Sequence, residues 1–414
     1  MERIRNKAAA ILFFLFLGVF AVILRADKGI SRMLDPFLPN QKEAIEVMEG
    51  MEEAGEQPLE ERVTAGMASM NEELLEQLPV KNSLIELSGL VMKGCGVQSY
   101  YDRTYGMNIT SNGYNVGSYA KTSTDFEVEQ MIGFQQYLDS LGIHLLYVNE
   151  PAKYIDDSFY QEEFGGASYL NRNADLFLSR IGEAGIDAID LRKNIQEEGL
   201  DPLSLFYRTD HHWTVPASKW AAEKIAERLN EAYGYHIDMS LYADENFHVS
   251  EYKNAWLGEQ GKKVAKSYIG LDDYCMMEPK YETSYTIARP EGDLTGDFGL
   301  FINKGIYSVQ MDPYLASSWH YSYYAYNMEM IHNEQADYGK VLVLGDSFET
   351  SMLPFLTLGI RDVRLVVPRD LGEMSVRELV AAEEYDTVII AYVQSVIGAH
   401  DEEGNADYRM FWLE

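Results

Sequence analysis

The sequence predicts an α/β fold built around a mostly parallel β-sheet. From about residue 120 onwards, segments with apolar residues at helical spacing alternate with short apolar runs of strand length. A strand that passes through a tight turn directly into a helix is predicted at residues 340–358. Because helices between consecutive strands cover both faces of a parallel sheet, both observations favour this fold class.

The first helix is predicted to begin at residues 124–125 (Thr-Asp), which can cap it, and to end at Gly142. Residues 143–148 then form an apolar run typical of a buried strand. Residues 173–184 and 186–191 repeat this helix and strand pattern. The apolar side of the first helix consists of Phe126, Met131, Phe134 and Leu138.

A third helix is predicted after Thr214, because Thr is a favoured N-cap and Pro216 fits the first helical turn. Residues 240–335 then interrupt the alternation. They are rich in Tyr, Gly and Asp, which predicts a long insertion of irregular structure with short strands. Beyond it we predict strands at 340–344, 363–367 and 387–393, and helices at 349–358 and 375–384.

Residues 1–28 are predicted to anchor the chain in a membrane. The basic residues Arg3, Arg5 and Lys7 precede an uninterrupted apolar run at 8–24, which is at the short end of the length that spans a bilayer. The run exceeds a typical secretion signal and lacks an Ala-x-Ala cleavage site, although a cleaved signal is the alternative. The basic flank predicts a single-pass protein of the cell membrane with its main domain outside the cytoplasm.

Residues 29–84 are rich in Glu, Met, Ala and Gln and contain scattered Leu. We interpret them as a partly helical stalk that lifts a domain at 85–414 off the membrane. Helical packing of this segment onto the domain is the alternative.

The formal net charge of −32 excludes a nucleic-acid-binding function, which needs a basic surface. Only two cysteines occur, Cys95 and Cys275, and they could form a disulfide or remain two free thiols. Their spacing does not match a structural zinc site. We predict neither a metal nor a cofactor.

The Gly-Asp-Ser turn at residues 345–347 places Ser347 at the carboxyl end of a parallel strand and at the start of a helix. A serine there can act as a nucleophile. The backbone N–H groups of Ser347 and Phe348 are then candidates for stabilising an oxyanion. The simpler alternative is that Ser347 only caps the helix.

A second polar motif, Asp-His-His-Trp at residues 210–213, lies upstream. A histidine that is oriented by an aspartate can take the proton of a serine nucleophile, and His212 with Asp210 fits this role. Structural histidines or a metal site are the alternatives. The two motifs together favour a serine nucleophile.

These motifs resemble the DHHW protein family and, more distantly, the SGNH-hydrolase-like alginate O-acetylation proteins. The order Asp-x-His before Gly-x-Ser is permuted relative to most SGNH hydrolases. Residues 149–153 (Asn-Glu-Pro-Ala-Lys), residues 256–273 and Asn333 match these proteins in character. The resemblance covers about residues 85–414 and implies a three-layer sandwich.

The resemblance implies that Ser347 is the nucleophile, His212 the base and Asp210 the acid that orients it. His211 occupies the variable position of the motif and is an alternative base. Further residues are candidates for contacting substrate or supporting the site: His211, Asp346, Lys153, Tyr392 and Gln394.

The resemblance also implies an O-acetyltransferase of a cell-surface polysaccharide. Its partners would be a glycan acceptor and a membrane-bound acyltransferase that supplies the acetyl groups. A carbohydrate esterase or deacetylase with the same three residues is the first alternative. A non-catalytic envelope protein that binds glycans is the second.

Overall fold

The computed structural model describes residues 81–96, 108–302, 314, 327–401 and 409–414. The chain divides into two units, Met1–Val97 and Gln98–Glu414. Of the first unit, only helix α1 (Lys81–Cys95) is described in detail. The predicted anchor and nearly all of the predicted stalk therefore lie outside the described residues. Within the described part of the chain, no helix has the length and apolar character to cross a membrane.

The second unit contains short strands and helices that alternate along the chain. The strands are β1 (Asn108–Ile109), β2 (Asn115–Val116), β3 (His144–Glu150), β4 (Asp187–Asp190), β5 (Phe247–Trp256), β6 (Asp272–Pro279), β7 (Tyr285–Ile287), β8 (Leu294–Gly296), β9 (Met330–Asn333), β10 (Lys340–Leu344), β11 (Asp362–Val366) and β12 (Thr387–Val393). The α-helices are α2 (Asp125–Leu141), α3 (Asp157–Phe164), α4 (Leu170–Glu183), α5 (Leu191–Glu198), α6 (Val215–Tyr233), α7 (Glu259–Val264), α8 (Lys266–Ile269), α9 (Glu349–Leu356) and α10 (Val376–Ala381).

The main sheet has eight strands in the order β4-β3-β12-β10-β11-β9-β7-β8. The first five strands are parallel, and β10 lies between β12 and β11. The other three are antiparallel. The predicted parallel strands are therefore present, and the three antiparallel strands beyond β11 make the whole sheet mixed. The reason is the connections: β7 and β8 are joined by a short turn, which permits antiparallel pairing and leaves no room for a crossover helix.

Alternate residues of the central strands enter two separate apolar cores. On β10, Val341 and Val343 belong to a core with α6 and α9, whereas Leu342 and Leu344 belong to a core with α2, α4 and α10. All four side chains are fully buried, which explains the continuous apolar run in this strand. The sheet thus lies between two helical layers, as the predicted three-layer sandwich requires.

The predicted helix boundaries agree with the structure to within a few residues. Gly142 ends α2 in the left-handed conformation with φ of 72°, which glycine adopts without strain. Thr214 caps α6 by accepting a hydrogen bond from the Ala217 N–H, and Pro216 lies in the first turn. Both cysteines are free thiols.

The described part of the segment at 240–335, which leaves out 303–313 and 315–326, contains the predicted short strands. Its strands β5 and β6 form a separate antiparallel pair with an irregular register after Tyr252. Three more strands, β7, β8 and β9, extend the main sheet beyond β11. Asn333, at the end of β9, donates to the carbonyl groups of Thr357 and Leu358 beyond α9. The segment therefore extends and braces the sheet.

Replacing Thr214 by Ala is expected to lower the free energy of unfolding by about 1 kcal/mol, because the Ala217 N–H loses its capping acceptor. Chemical denaturation of the purified protein measures this change. Thr214→Ser, which keeps the hydroxyl, is the control and should retain most of the stability. Equal loss in both variants would contradict the capping role.

Candidate active site

The Asp-His-His-Trp motif lies on a tight loop between residues 205 and 214. Two backbone hydrogen bonds close this loop: Tyr207 N–H donates to the His212 carbonyl at 3.2 Å, and Thr214 N–H donates to the Leu205 carbonyl at 2.8 Å. Helix α6 begins directly after it. The two backbone hydrogen bonds and the start of α6 therefore fix the backbone from which the side chains of the motif project.

A buried aspartate on β6 holds the start of this loop. Asp272 accepts hydrogen bonds from the backbone N–H groups of Arg208 and Thr209, both at 2.9 Å, and from the Thr209 hydroxyl. The Thr209 hydroxyl in turn accepts from Gly258 N–H at 2.7 Å. A Cβ atom at Gly258 would lie 2.5 Å from the Asp210 Cβ, so only glycine permits this approach.

Asp210 is fully buried and satisfies its charge with three N–H groups. Its Oδ1 accepts from the backbone N–H of His212 at 3.1 Å and lies 2.7 Å from His212 Nδ1. Its Oδ2 accepts from Glu259 N–H at 2.9 Å. Burial by itself would raise the pKa of Asp210, but the imidazole and N–H groups outweigh it and hold the pKa well below its usual range. Asp210 therefore stays ionised.

Ser347 lies in the turn between β10 and α9 and is partly exposed. Gly345 precedes it, and a Cβ atom there would lie 2.7 Å from the Glu349 side chain. The close approach of Glu349 therefore requires a glycine at this position. The Glu349 carboxyl is placed there because its Oε2 accepts the Asp346 N–H at 2.6 Å.

Asp346 connects the turn to the neighbouring strand. Its Oδ1 accepts from Phe348 N–H at 2.8 Å, and its Oδ2 accepts from Val393 N–H at 2.9 Å. The Phe348 N–H is therefore already bonded, which corrects the expectation that it would be open to an oxyanion. The Ser347 N–H has no acceptor among the described residues and stays a candidate.

The structure brings Asp210, His212 and Ser347 into one chain of hydrogen bonds. His212 Nε2 lies 2.8 Å from Ser347 Oγ, while its Nδ1 lies 2.7 Å from Asp210 Oδ1. An ionised Asp210 accepts the Nδ1–H, which leaves Nε2 as the acceptor for the serine proton. This arrangement can activate a serine hydroxyl.

His211 does not bridge the two groups. Its side chain is 53% exposed, and its Nδ1 lies 3.5 Å from Asp210 Oδ1. Its ring centroid lies 3.9 Å from that of His212. His211 therefore packs over His212 at the surface, and the geometry favours His212 as the proton acceptor.

Trp213 joins the two motifs, a role that the sequence analysis did not predict. Its indole Nε1–H is 3.2 Å from the Phe348 carbonyl and 3.1 Å from Ser351 Oγ. The Trp213 ring also meets the Phe348 ring edge to face, with centroids 5.2 Å apart. The tryptophan of the motif thus holds the histidine loop against the serine turn.

A cavity of about 350 Å³ opens beside these residues. Lys153 lies in its wall, but the side chain is buried and its Nζ donates to the carbonyl groups of Asn115 at 2.7 Å and Arg208 at 3.4 Å. Burial lowers the pKa of Lys153 to about 7, against the opposing charges of Asp210 and Asp272. Other residues in the wall are Tyr119, Tyr154, His211, Gln260 and Phe348.

Tyr392 and Gln394 were candidates for substrate contact, and both are buried in the structure. The Tyr392 hydroxyl donates to the Met410 carbonyl at 2.8 Å. The Gln394 Nε2 donates to Asn171 Oδ1 at 3.3 Å. Because neither side chain reaches the surface, the expectation of substrate contact is corrected for both, and a role in supporting the site stays a prediction.

Two groups of side chains bring possible metal-binding atoms within 4.8 Å of one another. The first is Asp210, His211 and His212. An ion there would compete with Asp210 and Ser347 for the ring nitrogens of His212. The second consists of Glu150, Asp346 and Glu349, all buried.

Replacing His212 by Ala is expected to slow the sulfonylation of Ser347 by phenylmethanesulfonyl fluoride at least about a hundredfold, since a positioned general base contributes that much. Labelling followed by intact mass spectrometry measures the rate. His211→Ala is the matched control and should slow labelling by no more than about tenfold. Equal loss in the two variants would show that the base is misassigned.

Replacing Tyr392 by Phe is expected to lower the free energy of unfolding by about 1 kcal/mol, because the Met410 carbonyl loses its buried donor. The labelling rate of Ser347 should not change. A large decrease in that rate without unfolding would instead restore the substrate role for Tyr392.

Comparison with known proteins gives a consistent result. Residues 114–253 match the family model described as "SGNH hydrolase-like domain, acetyltransferase AlgX". No curated protein matches the chain significantly in sequence.

Several solved structures share the fold. Bacillus cereus PatB1 superposes with a TM-score of 0.58 and 16% identity over 74% of this chain and 99% of that chain. PatB1 with a sulfonyl adduct gives 0.56 and 17% over the same shares. A DHHW family protein from Eubacterium siraeum DSM 15702 gives 0.50 and 13% over 72% of this chain and 95% of that chain. The predicted resemblance to SGNH-hydrolase-like proteins of the DHHW and alginate-acetylation type is therefore confirmed.

Proposed function

We propose that this protein is an acyl-transfer enzyme, an O-acetyltransferase that acts on a cell-surface polysaccharide. The observation that carries the proposal is the position of His212, whose two ring nitrogens lie 2.7 Å from Asp210 and 2.8 Å from Ser347. The match of residues 114–253 to the domain of an acetyltransferase supports the type of reaction.

In the first half of the reaction, Ser347 Oγ attacks the carbonyl carbon of an acetyl donor, and the serine proton passes to His212 Nε2. Asp210 keeps the Nδ1–H oriented and stabilises the imidazolium that forms. The tetrahedral oxyanion would be stabilised by the Ser347 N–H at the positive end of α9. When this intermediate collapses, the leaving group takes the proton from His212 and the acetyl group stays on Ser347.

In the second half, a sugar hydroxyl enters the cavity and gives its proton to His212 while it attacks the acetyl carbonyl. The product is an acetylated sugar, and Ser347 recovers its proton from His212. The cavity of about 350 Å³ is lined by His211 and Phe348, the chain neighbours of His212 and Ser347, and this position supports a small acceptor group such as one sugar unit. The net charge of −32 favours a neutral glycan over an acidic one.

We further propose that residues 1–28 anchor the protein in the cell membrane, with the catalytic domain outside the cytoplasm. The support is the basic flank followed by an apolar run in the sequence. Since no acetyl donor of the cytoplasm would reach such a site, a membrane-bound acyltransferase would have to supply the acetyl group.

Ser347→Ala is expected to abolish formation of an acetyl-enzyme with the activated ester p-nitrophenyl acetate. The rate should decrease at least about ten-thousandfold, because the attacking atom is lost. Intact mass spectrometry detects the acetyl group directly. Ser250→Ala, at an exposed position on β5, is the control. Undiminished acetylation of the Ser347 variant would refute the proposal.

Product analysis separates a transferase from an esterase that has the same residues. A transferase should yield acetylated sugar when a neutral oligosaccharide is added, and release little acetate without it. Acetate release that is independent of the oligosaccharide would identify an esterase. If Ser347 is never acetylated, the non-catalytic glycan-binding alternative gains support.

A further inference from the structure

Three carboxyl groups lie together directly behind the turn that carries Ser347. Glu150 is the last residue of β3, Asp346 lies in the turn, and Glu349 is the first residue of α9. All three are buried, and their oxygen atoms come within 4.8 Å of one another. Three negative charges buried together would repel one another strongly, so at least one carboxyl must be neutral.

Asp346 is suited to be charged, because two backbone N–H groups donate to it, from Phe348 and Val393. Glu349 accepts one backbone N–H, that of Asp346. Glu150 differs from both. Neither of its carboxyl oxygens receives a hydrogen bond from an N–H or O–H of the described residues. Of the three carboxyls, Glu150 would therefore cost the most free energy to bury in its ionised form.

Ionised carboxylates only accept hydrogen bonds, so Glu150 and Glu349 can bond to each other only if one of them keeps its proton. We propose that Glu150 and Glu349 share one proton, and that the resulting O–H···O bond holds the turn of Ser347 in its reactive geometry. The bond would connect the end of β3 to the start of α9. Glu349 would then hold the turn in place, because its carboxyl also accepts the Asp346 N–H. Glu150 and Glu349 are thus positioning residues. The proposal rests on the proposed function only in that Ser347 is the reacting group.

The electrostatic surroundings agree with this assignment. Burial raises the pKa of Glu150 well above its usual range, and the charge of Asp346 adds to the effect. Burial also raises the pKa of Glu349, with further contributions from Glu150 and Asp346. Burial, followed by the charges of Glu150 and Asp346, also raises the pKa of Tyr147 on β3, and a tyrosine supplies no positive charge to this cluster.

The sign of the pH effect follows from these raised pKa values. The unfolded chain releases both protons above about pH 4.5, whereas the native pair keeps one. The stability that the proton contributes is therefore present at low pH and is lost as the pH rises through the native pKa. Above that pH both carboxyls are charged, and their repulsion should displace the turn.

The test measures the sulfonylation rate of Ser347 from about pH 6 to about pH 10. In the wild type, we expect the rate to decline on the alkaline side. Glu150→Gln supplies an amide N–H that cannot be titrated, so it should keep the bond and remove this decline. Glu150→Ala should slow labelling about a hundredfold throughout, the effect expected for a nucleophile displaced by about 1 Å.

Glu127→Gln is the matched control, because Glu127 is also a buried glutamate and accepts bonds from Gly398 and His400. This variant should keep the alkaline decline of the wild type. An infrared difference spectrum between wild type and Glu150→Gln gives an independent readout. Recorded at about pH 7, it should show the C=O band of a protonated carboxyl in the wild type.

Two results would overturn the shared proton. One is the absence of the protonated-carboxyl band together with the same pH profile in the wild type and in Glu150→Gln. The other is one bound cation per chain that is lost in Glu150→Gln, measured by elemental analysis. Failure of the proposed function is distinguishable, because neither the infrared band nor sulfonylation requires acetyl transfer or a glycan.

Discussion

The charge of Asp210 is the constraint on which the arrangement of the site depends. An ionised carboxylate with no access to water requires several donors, and here they come from two parts of the chain: the His212 N–H and imidazole, and the N–H of Glu259 at the start of α7. The second part must approach closely, which explains the glycine at position 258. The start of α7 is thus connected to the site by the hydrogen bond from the Glu259 N–H to the Asp210 carboxylate.

The packing of two helices on one face of the sheet sets the distance between the two motifs. The histidine loop leads into α6, and the serine turn leads into α9. These two helices pack on the same face of the sheet, and Trp213 bonds from the loop to the first turn of α9. Their contact fixes the distance between the two motifs, which lie 135 residues apart in sequence. Packing of the helices, and not the loop alone, therefore sets the spacing between His212 and Ser347.

The sequence was sufficient to predict the central strands and the residues that meet at the site. Strands β10 and β12 have the predicted bounds, because a strand that is buried on both faces is a continuous apolar run. Strands β7 to β9 were predicted only as unplaced short strands within residues 240–335, and not as part of the main sheet. They are three or four residues long, and only pairing with distant residues makes them strands. Tyr392 and Gln394 were candidates for contacting substrate or supporting the site, because their position at the end of β12 does not reveal which side chains are buried.

Glu150 and Glu349 illustrate a further limit, since glutamates are among the residues least often buried. Nothing local to either residue distinguishes it from a surface carboxylate, and the contact between them joins positions 199 residues apart (349 − 150). The third buried carboxyl of this cluster, that of Asp346, affects the chemistry of the turn. Asp346 uses the Phe348 N–H for its own charge, so the turn gains rigidity and loses one donor for an oxyanion. The proposed mechanism therefore relies on accurate placement of Ser347 and its own N–H, which is what a carboxyl cluster behind the turn would secure.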